Sequence, residues 1–309
     1  MNPLSAIFGT GVALRNALYD SGKFKVMRLA RPVISVGNIS TGGSGKTPFV
    51  IALGQLLRER GITFDVLSRG YGRKSTAPAI VDRNGSPDQF GDEPLLIARK
   101  LQAPVIVGAD RFTAGLLAEQ QFSSQLHLLD DGFQHRRLHR DFDIVILRAD
   151  DLRETLLPVG RLREPVSSCH RADALVTLDP DPVTFNTKPV WAGRRRVTVP
   201  AASGPMIAFC GIARPGEFYV QLRQEGVQVA GTVAFPDHHR YKERDVGRLL
   251  RAKSSAKAAG FVTTEKDLIN LGMLSDRLPQ LCCARLDIVL LHPVEVLNTL
   301  LSAVKPNVG

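Results

Sequence analysis

Apolar residues along the chain follow two alternating patterns, and these patterns predict the order of its elements. Short apolar, strand-like runs occur at residues 33–36, 63–67, 104–107, 126–129 and 144–147. Between the first two runs, residues 49–60 carry apolar side chains at helical spacing. Strands that alternate with helical segments are typical of parallel βαβ units. We therefore predict an α/β fold with a doubly wound, mostly parallel sheet.

A second, smaller α/β domain is predicted at the end of the chain. Between Asp179 and Pro205 the sequence is rich in Pro, Thr and Arg, and the apolar periodicity lapses. Strand-like runs then return at residues 206–209, 260–264 and 286–291. We place the domain junction in this stretch, which divides the chain into residues 1–200 and residues 201–309.

The N-terminal segment predicts an amphipathic helix. Residues 3–20 place apolar side chains near helical spacing, but polar residues interrupt them. The segment therefore falls short of the roughly 20 apolar residues that a membrane span needs. Lys23, Lys25 and Arg28 follow it, as an interfacial helix requires. From the residues alone, packing of this face on the protein's own core is the alternative.

Composition and charge restrict the class of partner. Of 309 residues, 44% are apolar and 23% are charged, and the formal net charge is +10. This balance excludes a disordered chain and favours anionic partners. Basic residues are spread without interleaved aromatic residues, so we expect no nucleic-acid partner. Cys169, Cys210, Cys282 and Cys283 lack the spacing of a zinc site, so we expect reduced, buried thiols.

A glycine-rich turn between the first strand and the next helix predicts a site for nucleotide phosphates. Its residues are Thr41, Gly42, Gly43, Ser44, Gly45, Lys46 and Thr47. Backbone N–H groups of such a turn and the helix N-terminus bind phosphate oxygens. We expect Lys46 to reach the β- and γ-phosphates and the Thr47 hydroxyl to bind Mg²⁺. The pattern GxxxxGK[ST] is met except at its first position, which is Ser40.

A pair of acids after another predicted strand supplies a second metal-directed group. The apolar run at residues 126–129 leads directly into Asp130 and Asp131. Carboxylates in this position hold Mg²⁺ directly or through water, and they balance charge on the transferred phosphoryl group. The sequence does not assign separate roles to the two acids.

A phosphate-binding loop alone leaves the reaction open. A P-loop switch or metallochaperone is one alternative, although the nearest guanine-specific string, Thr264-Glu265-Lys266-Asp267, has its Lys one position too late. A metallochaperone would also carry a Cys or His metal cluster, which the sequence lacks. A kinase of a small soluble metabolite is a second alternative, and the amphipathic N-terminus argues against it.

Several strings, in order along nearly the whole chain, resemble the tetraacyldisaccharide 4'-kinases. Besides the P-loop they are Val36-Gly37-Asn38, Ser68-Arg69-Gly70-Tyr71-Gly72, Gly91-Asp92-Glu93-Pro94, Asp130-Asp131-Gly132-Phe133-Gln134-His135, Leu157-Pro158-Val159-Gly160-Arg161-Leu162-Arg163-Glu164-Pro165, Phe235-Pro236-Asp237-His238-His239 and Thr264-Glu265-Lys266-Asp267. The resemblance implies transfer of the γ-phosphoryl of ATP to the 4'-hydroxyl of a tetraacyldisaccharide 1-phosphate in lipid A biosynthesis.

The resemblance also implies roles for individual residues. Asp92 is expected to be the base for the hydroxyl, aided by His238, although His239 is an equal candidate by sequence alone. Glu93 is expected to assist at the metal with Thr47 and the two acids. The candidates for substrate and its phosphates are Asn38, Arg69, Arg111, Arg161, Arg163 and Arg171.

The expected substrate implies a location. Four acyl chains keep the disaccharide in a bilayer, so the resemblance implies a peripheral protein at the cytoplasmic face of the inner membrane of a Gram-negative bacterium. The N-terminal helix would hold the cleft at headgroup level. We expect a monomer whose two domains close over the active site, with a hinge near residues 180–205.

Overall fold

One mixed sheet organises the protein. A computed structural model describes residues 2–178, 188–200 and 203–304, and in these ranges twelve strands form a single sheet. The strands are β1 (Val33–Asn38), β2 (Phe64–Ser68), β3 (Ala79–Ile80), β4 (Val105–Val107), β5 (Leu126–Asp130), β6 (Phe142–Ile146), β7 (Ala174–Thr177), β8 (Val190–Thr198), β9 (Met206–Cys210), β10 (Val229–Ala234), β11 (Gly260–Thr264) and β12 (Leu281–Leu290).

Helices connect most of these strands. The α-helices are α1 (Pro3–Asp20), α2 (Lys46–Glu59), α3 (Pro87–Phe90), α4 (Asp92–Leu101), α5 (Arg111–Gln121), α6 (Pro215–Gln224), α7 (Glu243–Ser255), α8 (Glu265–Leu271) and α9 (Pro293–Val304). Short 3₁₀ helices span Ala149–Arg153, Val166–Arg171 and Gly272–Arg277. The predicted strands and the helix after the first strand are all present, with ends shifted by a few residues.

The sheet is doubly wound, as the apolar runs predict. Its strand order is β10-β9-β11-β12-β8-β7-β6-β1-β5-β2-β4-β3, and β1 pairs in parallel with both β5 and β6. Ile34 and Val36 join the core beneath α2 and α4, whereas Val33 packs with residues of α5 on the other face. Both faces of the central strands are therefore buried, which explains their short continuous apolar runs. The chain reverses direction across the sheet beside β1, and ligands bind at such a switch point.

The stretch that we predict as a domain junction contains a long strand. Residues 179–187 and 201–202 of the junction and hinge lie outside the described residues. Between them, β8 pairs in parallel with β7 and antiparallel with β12. The sheet therefore runs across the boundary, and α9 packs Leu297 and Leu300 into the core of the first half. The division at residue 200 stays a prediction.

The predicted N-terminal helix is α1, which matches residues 3–20. Asn2 caps it by accepting a hydrogen bond from the Leu4 amide at 3.0 Å, and Pro3 occupies its first turn. Much of its apolar surface, including Ile7 and Leu14, is exposed. In the described part of the chain, no helix combines the length and apolar character needed to cross a bilayer.

The cysteines are free thiols, in agreement with the absence of zinc spacing. Cys169 and Cys210 are buried, as expected. Cys282 and Cys283 lie on β12 and are only half-buried, so the prediction of burial is wrong for these two. Their strand has one neighbour on each side but a partly open face.

Candidate active site

A cleft of about 540 Å³ opens at the carboxyl ends of the central strands. The P-loop, residues Thr41 to Thr47, lines one wall, and the opposite wall comes from the second half of the chain through Arg214, His238 and Lys266. Asp130 ends β5 beside β1, where it pairs in register with Val36. Parallel pairing of β1 and β5 therefore brings the phosphate loop and the predicted metal acids to the same edge.

The glycines of the P-loop adopt positive φ angles, and a side chain at Gly42 would collide with a neighbouring residue. Gly42 has φ 68°, and a Cβ there would lie 2.7 Å from the Cβ of Ala213. Gly45, with φ 94°, leads into α2, so the helix N-terminus faces the cleft. The geometry is that of an anion cradle covered by the second half of the chain.

Lys46 is held by two side chains at the bottom of the cleft. Its Nζ donates to Asn38 Oδ1 at 3.1 Å and lies 3.5 Å from Asp131 Oδ1. Asn38 is fully buried and also accepts from Arg163. Asn38, predicted to contact substrate, thus contacts the P-loop lysine and is enclosed by protein.

The structure separates the two acids that follow β5. Asp131 accepts hydrogen bonds from Arg163 Nη1 at 3.1 Å and Nη2 at 2.9 Å. Burial acts to raise the pKa of Asp131, but Lys46 and Arg163 outweigh it and hold this pKa well below its usual range. Asp131 is therefore a charged partner of two cations.

Asp130 has a different environment. It is 2% exposed, and its Oδ2 accepts from Ser68 Oγ at 3.1 Å, while its Oδ1 has no hydrogen-bond partner among the described residues. Burial, together with the charges of Glu93 and Asp131, raises the pKa of Asp130 to about 7. A buried carboxylate with a free oxygen fits a cation, and Glu93 and Thr47 line the same cleft.

The metal site would rely on few protein ligands. Within residues 2–178, 188–200 and 203–304, no group of three His, Cys, Asp or Glu side chains is arranged to hold a metal ion. Mg²⁺ commonly binds through one or two carboxylates, with phosphate oxygens and water completing its shell. Asp130, Glu93 and the Thr47 hydroxyl meet that requirement.

Asp92 and His238 are in contact, as the family resemblance implies. His238 Nδ1 lies 3.0 Å from each carboxylate oxygen of Asp92. Asn270 Nδ2 also donates to Asp92 at 2.9 Å, and the carboxylate is only 1% exposed. His238 lines the cleft, whereas the Asp92 carboxylate is buried behind it.

The pair has shifted pKa values. For Asp92, burial acts to raise the pKa, but the hydrogen bond from His238 and the charge of Lys266 hold it well below its usual range. For His238, burial lowers the pKa, the hydrogen bond to Asp92 raises it, and Lys266 lowers it, with a net rise. His238 also adopts φ 57°, an uncommon conformation that recurs at functional sites.

The two adjacent histidines have separate partners. His239 Nε2 lies 3.0 Å from Asp245 Oδ2, and its ring stacks on Phe235 with centroids 4.7 Å apart. The contact with Asp245 directs His239 to the first turn of α7, whereas His238 reaches Asp92 on α4. Sequence alone could not distinguish the two residues.

The predicted arginines divide into two groups. Arg69 and Arg163 line the cleft. Arg161 donates to the Thr41 carbonyl at 3.0 Å and so supports the P-loop from behind. Arg111 is buried and donates to the Ala109 carbonyl at 2.8 Å, and Arg171 pairs with Glu164 at 2.6 Å. The last three arginines therefore contact protein groups.

Sequence reasoning missed several residues of the cleft. Arg195 of β8 lines the cleft and donates to the Ser44 carbonyl at 3.2 Å. Lys266 and Asn270, four residues apart on α8, contact His238 and Asp92. The Thr264-Glu265-Lys266-Asp267 string was the signal for Lys266, whereas nothing local marks Arg195 or Asn270.

Comparisons with known proteins identify the family to which the chain is similar. The family model for tetraacyldisaccharide-1-P 4'-kinase matches residues 1–305. A tetraacyldisaccharide 4'-kinase of Koribacter versatilis is 48% identical and covers all of both chains. One from Aquifex aeolicus is 39% identical over 87% of this chain and 88% of its own length.

The fold also matches a solved structure. The crystal structure of LpxK from Aquifex aeolicus in complex with ATP superposes with a TM-score of 0.81, at 34% identity over 98% of each chain. That protein binds ATP, and the cleft described above contains a P-loop in the expected strand-to-helix context. The chain therefore belongs to the tetraacyldisaccharide-1-P 4'-kinase family and is a kinase.

Proposed function

We propose that this protein transfers the γ-phosphoryl group of ATP to the 4'-hydroxyl of a tetraacyldisaccharide 1-phosphate. The observation that carries the proposal is the Asp92–His238 pair, 3.0 Å apart, at a P-loop cleft in a member of this family. A P-loop switch needs no base for a sugar hydroxyl, whereas a kinase that acts on an alcohol gains from one.

His238 is the base in this mechanism. Its Nδ1 contacts Asp92, so Nε2 is the nitrogen available to the acceptor. The 4'-hydroxyl proton passes to Nε2, the hydroxyl oxygen forms a bond to the γ-phosphorus, and the bond to the β–γ bridging oxygen breaks, which releases ADP. Asp92 orients the imidazole and stabilises its charged form. This assignment exchanges the roles expected from the resemblance, because Asp92 is enclosed.

Cations of the protein hold the phosphates. Lys46 and the backbone of the P-loop bind the β- and γ-phosphates, and Arg163 and Arg69 supply charge along the cleft. When bound, Mg²⁺ neutralises charge on the phosphate oxygens. Asp130, Glu93 and Thr47 would hold it.

A lipid acceptor supports a location at a membrane surface. The acceptor is a lipid, so the cleft must reach the headgroup level. Ile7 and Leu14 on the exposed side of α1, and Lys23 and Lys25 after it, fit an interfacial helix that contacts anionic headgroups. The location that we propose is the cytoplasmic face of the inner membrane, with the protein as a monomer.

The test is transfer of labelled γ-phosphate from ATP to tetraacyldisaccharide 1-phosphate in detergent micelles. Labelled lipid that depends on Mg²⁺ supports the proposal. A soluble phosphorylated sugar in place of lipid would indicate a kinase of small metabolites. Slow nucleotide hydrolysis with no phosphorylated acceptor would favour the switch instead.

A further inference from the structure

Lys266 makes a contact with His238 that the mechanism above leaves unused. Its Nζ lies 3.2 Å from His238 Nε2, the ring nitrogen that does not contact Asp92. The same ammonium lies 3.2 Å from Asp237 Oδ1 and 3.4 Å from Glu93 Oε1. The side chain is 15% exposed and lines the cleft, so it is a fixed part of the site.

The contact favours one tautomer of the neutral His238 imidazole. An ammonium group can only donate, so a hydrogen bond at this distance requires a lone pair on Nε2. The proton of the neutral imidazole then resides on Nδ1, where the Asp92 carboxylate accepts it. Lys266 and Asp92 therefore select the same tautomer, and it is the tautomer that can accept a hydroxyl proton at Nε2.

Local structure explains why the ammonium can hold this position. Thr264 caps α8 by accepting from the Asp267 amide at 3.1 Å. Asp267 in turn accepts from the Gly211 amide at 2.7 Å and from the Tyr241 hydroxyl at 2.8 Å. These bonds tie the start of α8 to the loop after β9 and to the loop that carries His238, and Lys266 lies in the first turn of the helix.

We infer that Lys266 is a positioning residue for phosphoryl transfer, which keeps His238 in its proton-accepting tautomer and occupies Nε2 until the acceptor hydroxyl displaces it. The inference rests on the proposed role of His238. While no acceptor is bound, the lone pair is engaged, so a water molecule in the cleft cannot use it. Displacement leaves the ammonium beside the new hydroxyl, still held by Asp237 and Glu93.

The first experiment compares Lys266→Met with Lys100→Met. Lys100 is a matched control because its side chain is also largely buried, at 20% exposure, and also pairs with a carboxylate. That carboxylate belongs to Glu265, the residue before Lys266, and lies 2.8 Å from the Lys100 ammonium. We expect kcat for lipid phosphorylation to fall about 10- to 100-fold in Lys266→Met with the KM for ATP within about threefold. ATP hydrolysed per lipid phosphorylated rises in this variant, and Lys100→Met behaves as wild type. Equal losses in both variants, or unchanged kcat in Lys266→Met, would overturn the inference.

The second experiment reads the tautomer without any turnover. Nitrogen-15 NMR of labelled histidines at about pH 8 distinguishes Nδ1–H from Nε2–H imidazole, and His238→Gln assigns the signal. We expect the Nδ1–H form in the wild type, a mixture of both forms in Lys266→Met, and recovery of the Nδ1–H form together with part of kcat in Lys266→Arg, which keeps a donor.

The two readouts separate the inference from the proposed function. If the wild type phosphorylates no lipid but the tautomer of His238 still changes in Lys266→Met, the proposed function is refuted and the effect of Lys266 on His238 is supported. A tautomer that is the same with and without Lys266 refutes the inference, whatever the activity. Thermal denaturation checks folding, and Lys266→Gln replaces Lys266→Met if the latter unfolds.

Discussion

Asn16 of α1 donates a hydrogen bond to the buried carboxylate of Glu164, with 2.9 Å between Nδ2 and Oε2. Glu164 directly follows Arg163, whose guanidinium holds Asp131 in the cleft. The exposed helix and the phosphate site thus share one loop. The hydrogen bond therefore connects α1 to the loop that carries Arg163.

The exposed apolar face of α1 is predicted to carry membrane binding. Ile7 is 71% exposed and Leu14 is 62% exposed. Replacing both by Glu removes apolar area and adds negative charge, so we expect binding to anionic vesicles to fall at least about tenfold in a sedimentation assay. Folding should be retained, because neither side chain is buried.

Two exposed apolar residues elsewhere provide the control for this prediction. Met273 is 88% exposed and Val294 is 56% exposed, on other parts of the surface. The double replacement of these two by Glu is expected to leave vesicle binding unchanged. Equal losses in both double variants would mean that net charge, and not α1, governs binding.

The neighbouring histidines are predicted to differ in effect. His238→Ala removes the group that faces the cleft, so we expect kcat at saturating ATP and lipid to fall about 10²- to 10⁴-fold. His239→Ala breaks the contact with Asp245 and is expected to lower the melting temperature with less than about a tenfold change in kcat. If His239→Ala were the more inactive of two folded variants, the assignment of the base would be wrong.

The two acids after β5 are predicted to differ in their dependence on magnesium. Asp130→Asn removes the charge of the carboxylate with the free oxygen, so the Mg²⁺ concentration for half-maximal activity should rise about 10- to 100-fold. Asp131→Asn instead loosens Lys46 and Arg163, and kcat should fall with a smaller change in that concentration. A titration of activity against Mg²⁺ for both variants decides the matter, and identical shifts would argue against separate roles.

A buried ion pair outside the cleft predicts a pH-dependent stability. His127 Nδ1 lies 2.7 Å from Asp65 Oδ1, and these residues are partners across β5 and β2. Burial lowers the pKa of His127, but hydrogen bonds and charges of Asp65 and then Glu119 outweigh it, and the pKa is raised. A histidine whose pKa is higher in the folded state stabilises that state, and the contribution is fully present below the unfolded-state pKa of about 6.5. The contribution is lost as the pH rises through the folded-state pKa.

Asp65→Asn is therefore expected to cost more stability in acid than in base. We expect a loss of about 3–5 kcal/mol in the free energy of unfolding at about pH 6, and a smaller loss at about pH 9. Denaturant titrations at both pH values measure the difference. Glu59→Gln, at an exposed carboxylate, is the control and should change little. A loss of stability in Asp65→Asn that is larger at about pH 9 than at about pH 6 would contradict the raised pKa of His127.

Local patterns in the sequence determined the first half of the fold and the phosphate loop. The central strands are short and fully buried, so their apolar runs are continuous. The signals for α1, its N-cap at Asn2 and its helical spacing of apolar residues, lie in or directly beside the helix. The P-loop likewise needs only its own glycines and the strand and helix beside it. Because these features depend on neighbours in sequence, they could be predicted from sequence.

Other elements could not be predicted in this way. β8 carries exposed Arg194 and Arg196, and its pairing with β7 and β12 provides the hydrogen bonds that its local pattern does not indicate. The resemblance to a family gave Asp92 and His238, but it did not give the burial of the Asp92 carboxylate. That burial follows from packing across the sheet, and our proposed assignment of the base rests on it.

The sequence by itself determined that the chain carries a P-loop pattern and resembles kinases of a lipid disaccharide, since those signals lie in contiguous strings. Only the tertiary structure decided that His238 reaches Asp92 across 146 residues, that Lys266 faces the same imidazole, and that Asp130 and Asp131 differ. Such contacts join residues far apart in sequence, and the path of the chain through the sheet sets the distances between them.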